Sequence, residues 1–174
     1  MTTPPRPPSA PLTTSLVYKT DKKTAVHSRI IWACAWTSCG RWVGEVGETG
    51  AGASPRYFGT ASRDKKVVMW GEREDKTWGP VGPALTLEDS VTALAMAPTP
   101  AGHLLACGLD SGGLALVSWS PGQGWGEVLA RPLHMGTVTR LAFRPEGQEH
   151  KKEDLLLASC GADWAVRISS VSSA

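Results

Sequence analysis

Residues 57–70 read YFGTASRDKKVVMW. An apolar strand ends in small residues, a charged turn is built on Asp64, and a second apolar strand closes on Trp70. Strand, tight turn and strand make a β-hairpin. The same phrase returns as LLACGLD, ending at Asp110, and as LLLASCGAD, ending at Asp163. Each copy is preceded by a further apolar strand: Ile31-x-x-Cys34-x-Trp36, Val91-x-x-Leu94-x-Met96 and Val138-x-x-Leu141-x-Phe143. A supersecondary unit repeated three times fixes the architecture ahead of any single motif.

Loops rich in Gly, Pro and Trp follow the first two hairpins, and plausible fourth strands lie at 84–88 (ALTLE) and 127–133 (EVLARPL). Four short strands every 45–50 residues or so is the mark of a propeller blade. No helical periodicity is sustained. The expected fold is therefore all-β: about three antiparallel four-stranded blades of the WD40 type, an incomplete propeller. The repeats are expected at about 27–72, 84–120 and 127–171 within a propeller region 12–174.

Residues 1–11 hold five prolines and read as a disordered leader, since proline cannot donate to a ladder. Residues 12–19 (LTTSLVYK) are β-prone and suit an edge strand. The first repeat carries a Gly-rich insertion at about 42–54, read either as a flexible loop or as a segment wrongly retained in the gene model. The third carries a smaller charged one, EGQEHKKED. Hairpins absorb such length at the surface.

Composition is that of an ordinary globular chain, with 41% hydrophobic and 20% charged residues and a formal charge of +2. That charge is too small to imply a polyanion partner. The four cysteines form no CxxC pair, and Cys34 and Cys107, inside apolar strands, are expected to be buried and inert. No apolar run reaches the roughly 20 residues a membrane span needs. A soluble chain in a reducing compartment follows as the expectation. Among the basic turns, Arg63, Lys65, Lys66, Lys151 and Lys152 suit either solvation of sheet edges or contacts to a partner or RNA backbone.

Blades of this type pin their hairpins with a buried polar chain of His, Ser or Thr, Asp and Trp, in which each donor meets an acceptor. The first repeat supplies all four as His27, Thr60, Asp64 and Trp70. The third supplies His134, Ser159 and Asp163, with Ser169 where Trp is expected. The second keeps Asp110 alone: Ala106 stands for the hydroxyl, the DSGG turn reads one residue longer, and Trp119 comes late. A hydrolase built on His27 or His134 is disfavoured, because a nucleophile needs one exposed setting with an oxyanion hole and this set recurs at fixed offsets. The glycines of GEVGETGAGAS lack the GK[ST] of a phosphate loop. No catalytic residue, cofactor, metal or small-molecule substrate is expected.

AVHSRIIWACAW, YFGTASRDKKVVMWGE, VTALAMAP, ACGLDSGGLALVSW and LLLASCGADWAVRI together resemble the late repeats of the WD40 subunit of the Elongator complex, its second subunit, over roughly residues 19–170. SRIIW and SRDKKV carry most of the specificity, since generic repeats do not demand them. The resemblance implies a non-catalytic scaffold in an assembly that modifies wobble uridines of tRNA and is linked to transcription elongation by RNA polymerase II. It implies, as partners, the largest scaffold subunit and the acetyltransferase-like catalytic subunit, with an indirect or weak tRNA contact, no membrane, and a cytoplasmic and also nuclear location. A generic WD40 adaptor, for example in a ubiquitin ligase, is the alternative. Three blades cannot close a ring, so the chain is expected to be a fragment or truncated gene model of a longer propeller, the alternative being a piece that other chains complete, and to be aggregation-prone or loosely folded by itself.

Overall fold

The computed structural model describes residues 14–20, 26–37, 57–97, 103–145 and 155–171. The Pro-rich leader, the Gly-rich insertion, Cys39 and the EGQEHKKED segment lie outside them. Every regular element among the described residues is a β-strand. The first sheet holds β1 (Ile31–Trp36), β2 (Tyr57–Ser62), β3 (Lys66–Glu72), β4 (Trp78–Pro80) and β5 (Leu85–Thr86). The second holds β6 (Val91–Met96), β7 (His103–Leu109), β8 (Gly113–Ser120) and β9 (Gly124–Pro132). The third holds β10 (Val138–Phe143), β11 (Leu155–Gly161) and β12 (Val166–Val171).

Each sheet is an antiparallel meander in chain order, with β4 and β5 both pairing on β3. The outer strand of the first sheet is thus split, and Pro83 lies in the gap, where proline cannot extend a ladder. These are WD40-type propeller blades in an unclosed array. Residues 85–86 and 124–132 pair backwards, onto β3 and β8, so they complete the blade before them instead of opening the next. Residues 14–20 form no strand, and Leu16 and Val17 are exposed, so the β-prone segment there finds no edge to join.

The core lies between blades. Ala61, Val67 and Met69 of the first pack with Leu94, Met96, Leu105, Cys107, Val117 and Trp119 of the second. The fit is close at Gly59, where a Cβ would come within 2.8 Å of Met96 Cε and 3.0 Å of Leu94 Cδ2. The opposite face of the second blade offers Ala106, Leu114 and Leu116 to Leu157, Leu141 and Phe143 of the third. On the third blade Val166 and Ile168 occupy the register positions of Val67 and Met69, yet are 71% and 73% exposed where those two are fully buried.

Register also decides the cysteines. Cys107 faces the core between blades and is fully buried, and desolvation pushes its thiol up to about 12. Cys34, expected to be buried, is exposed. It lies on an innermost strand and lines an open concavity with Trp32, Thr92, Leu94, Arg140 and Leu141. An apolar strand at the inner rim of an open array has one face without a neighbour.

Candidate functional site

The hairpin turns carry every polar side chain singled out by the repeats. In the first blade His27 Nδ1 lies 3.2 Å from both oxygens of Asp64, and Nε2 lies 2.9 Å from Thr60 Oγ1. The Trp70 indole N–H donates to the same hydroxyl oxygen at 2.9 Å. An indole can only donate and an ionised carboxylate can only accept, so with the His27 proton on Nδ1 the chain runs one way. Trp70 donates to Thr60, Thr60 to His27 Nε2, and His27 Nδ1–H to Asp64. Asp64 also accepts the amides of Ser28 (2.8 Å) and Lys66 (3.1 Å), which ties the loop before β1 to the β2–β3 turn. Burial by itself would raise the Asp64 pKa. The Ser28 amide, His27, the Lys66 amide and the Ser62 hydroxyl outweigh it and hold the carboxyl below its usual range.

The third blade repeats the arrangement around His134, with Asp163 Oδ1 at 2.8 Å and Ser159 Oγ at 2.9 Å. Asp163 accepts the Met135 amide at 3.0 Å and the Ala165 amide at 3.2 Å. Arg167, which sequence reasoning did not select, adds its Nη1 to Asp163 Oδ2 at 2.8 Å and reaches His134 Nδ1. The Met135 amide, then His134 and Arg167, hold the Asp163 carboxyl well below the usual range. Ser169 pairs opposite Leu157, as Trp70 does opposite Phe58, and Ser159 receives no indole N–H.

The second blade replaces the polar chain with apolar packing. Leu94 pairs with Cys107, as Cys34 does with Thr60 and Leu141 with Ser159. Cys107, and not Ala106, therefore takes the hydroxyl position. Val117, opposite Leu105, takes the place of Trp70. Leu87 takes the place of histidine: its amide bonds the Lys65 carbonyl just as the His134 amide bonds that of Gly112. All three belong to one buried cluster.

The β7–β8 turn is no longer than the others, since Thr60 pairs with Val68 and Cys107 with Ala115, the same eight positions on. Asp110 is instead displaced by one. Its amide bonds the Ser90 carbonyl at 3.0 Å, as the Arg63 amide bonds Ile30 and the Ala162 amide bonds Thr137. Asp110 is exposed and accepts the Thr137 hydroxyl at 2.8 Å, so it pins no histidine. The acid that ties this turn is Asp89, from the loop before β6, which accepts the Ser111 amide at 2.8 Å and that of Ser90 at 2.7 Å. Burial opposes its charge, but those two amides keep its pKa below the usual range. In the flanking blades the turn supplies the carboxylate and the loop the amide; here the roles are exchanged.

Trp119 lies two residues beyond Val117, on the same face of β8. It is buried, stacks on His103 at 5.5 Å and meets Tyr57 of the first blade edge-on at 5.2 Å. The Trp125 indole donates across to the Pro83 carbonyl at 2.8 Å. The tryptophans of the second blade thus fasten it to the first.

His27, His134, Thr60 and Ser159 are buried. A hydroxyl sealed in this way reaches no substrate, and its hydrogen bonds are already directed inward. Among the described residues no group of three or more His, Cys, Asp or Glu is placed to hold a metal ion. What the arrangement does is hold loops and hairpin turns rigidly at one rim of the blades.

No family model matches the chain. Some 88% of it is similar to Elongator complex protein 2 of Danio rerio, 34% identical over 184 residues, and to that of Drosophila melanogaster, 34% identical over 167. The Homo sapiens protein of the same name is 31% identical over 178 residues. The chain spans about one fifth of the length of these relatives: 21%, 18% and 20%. They bear the name of the family that the repeats resemble.

Proposed function

We propose that this chain is a propeller portion of an Elongator second subunit and acts as a non-catalytic scaffold, binding other subunits through blade faces and rims. Two lines support the reading: the similarity to Elongator complex protein 2, and the inward commitment of the one recurring polar set. The second carries it. The residues that could do chemistry, His27 with Thr60 and Asp64, and His134 with Ser159 and Asp163, are sealed into structural pins, which leaves the surface as the working part.

In this reading the partners are the largest scaffold subunit and the acetyltransferase-like catalytic subunit. The assembly serves tRNA wobble-uridine modification, with a link to transcription elongation and a cytoplasmic and nuclear location. Co-expression of the tagged chain with the other subunits tests it. Recovery of the catalytic subunit with the tagged chain is expected. Its absence, when a full-length second subunit retrieves it in parallel, overturns the proposal.

A further inference from the structure

Two faces of this array lack the neighbour that the same positions have elsewhere in the chain. On the leading side, Ile31 fills the register position of Val91 and Val138 at the start of the innermost strand. Those two valines are fully buried, whereas Ile31 is 48% exposed. Trp36, at the position of Met96 and Phe143, is 55% exposed where Met96 is buried against the first blade. On the trailing side, Val166 and Ile168 stand open at the positions of Val67 and Met69 in the first blade and of Leu114 and Leu116 in the second, all four buried. The two open faces are thus the two halves of a contact that the chain already makes twice between its own blades.

The strands show the same mismatch. Among the described residues β12 pairs only with β11, whereas β3 and β8 each carry a fourth strand. Residues 17–20 have the spacing of such a fourth strand. Trp78 stands thirteen positions before Val91 and Trp125 thirteen before Val138, and Tyr18 stands thirteen before Ile31. Trp78 pairs with Glu72 and Trp125 with Trp119, each four positions past the residue opposite the hydroxyl position of its blade, Val68 or Ala115. The same count from Arg167 gives Val171, the last residue of β12. Tyr18 precedes the first blade and Val171 closes the third, so the two belong to opposite ends of one array.

We propose that a second copy of this chain covers both faces. The first blade of each copy packs on the third blade of the other, and residues 17–20 of each add a fourth strand to β12 of the other. Burial of Ile31, Trp36, Val166 and Ile168 drives the association, and the added strand satisfies the open ladder edge of β12. Such a contact is head-to-tail, so it either closes a ring or grows without limit. Propeller rings hold roughly four to eight blades. Two copies of a three-blade chain fall inside that range, and three copies fall outside it.

Sedimentation of the full 174-residue chain over a range of concentrations tests this. A reversible equilibrium that stops at two copies is expected, with a melting temperature that rises with concentration. Ile168→Asp, at a position exposed in the single chain, should leave the monomer folded and weaken the dimer at least about 100-fold, because the contact would bury a carboxylate. Strand exchange has its own readout. In a Cys34→Ser chain, Tyr18→Cys combined with Val171→Cys should cross-link two copies under a mild oxidant, and neither substitution alone should do so. A monomer at every concentration, growth beyond two copies, a dimer indifferent to Ile168→Asp, or no cross-link overturns the proposal. It goes beyond the scaffold reading: a failed co-expression pull-down leaves it standing, and a monomeric chain leaves the scaffold reading standing.

Discussion

Replacing Thr60 by valine keeps shape and removes one oxygen on which two buried groups depend. The Trp70 indole N–H and His27 Nε2 both lie 2.9 Å from it, and all three residues are buried. A buried polar group left without its partner costs about 1–3 kcal/mol, so two of them put the loss at about 3 kcal/mol. For a domain of this size that lowers the melting temperature by roughly 6–12 °C. Ser159→Ala in the third blade removes the equivalent oxygen, but no indole donates there, so only His134 loses a partner and roughly half the effect is expected. Thermal unfolding followed by tryptophan fluorescence compares the two variants directly. Near-equal shifts, or a neutral Thr60→Val, would refute the idea that these side chains form directed hydrogen-bond chains whose cost counts the stranded partners.

Cys107→Ser should destabilise, by about 1–3 kcal/mol, because the hydroxyl enters an apolar slot beside Leu87 and Val117; a gain in urea midpoint would show that a hidden acceptor exists. Acid should act in two stages. Burial lowers the His103 pKa, so below about 6.5 the unfolded chain binds a proton that the folded chain resists, and stability falls. Asp64, Asp89 and Asp163 have lowered values, so their stabilisation is complete above their ordinary 3.8 and is lost as the pH falls beneath it. His103→Phe, which retains an aromatic ring against Trp119, should remove the His103 share of the upper stage in melting temperature against pH; an unchanged slope from pH 6.5 to 5 counts against the assignment. A thiol reagent should modify Cys34 in the folded chain and reach Cys107 only on unfolding. Loss of a fast-reacting thiol in Cys34→Ser verifies the first half, and rapid native labelling of Cys107 contradicts the second.

The anchors of the first and third blades were legible because their residue types and offsets agree: four residues from histidine to strand, four from hydroxyl to aspartate. The second blade misled for the same reason. Counting back from Asp110 selects Ala106, whereas the ladder places Cys107 opposite Leu94. An aspartate one position early looks like an anchor in sequence, and only backbone pairing shows that it faces Thr137. Asp89 and Arg167 escaped notice because nothing in a list of residues says which carboxylate faces which amide across a loop, or that a mid-strand arginine folds back onto a turn.

Sequence alone determined the first three strands of each blade, the three-fold repetition and the blade type, because short apolar runs and turn chemistry are local properties. Tertiary structure decided which acid ties each turn, which cysteine is sealed and which tryptophan joins two blades. Those outcomes depend on register: a shift of one residue sends a side chain to the opposite face of its sheet, and register is settled by the packing of one blade against the next.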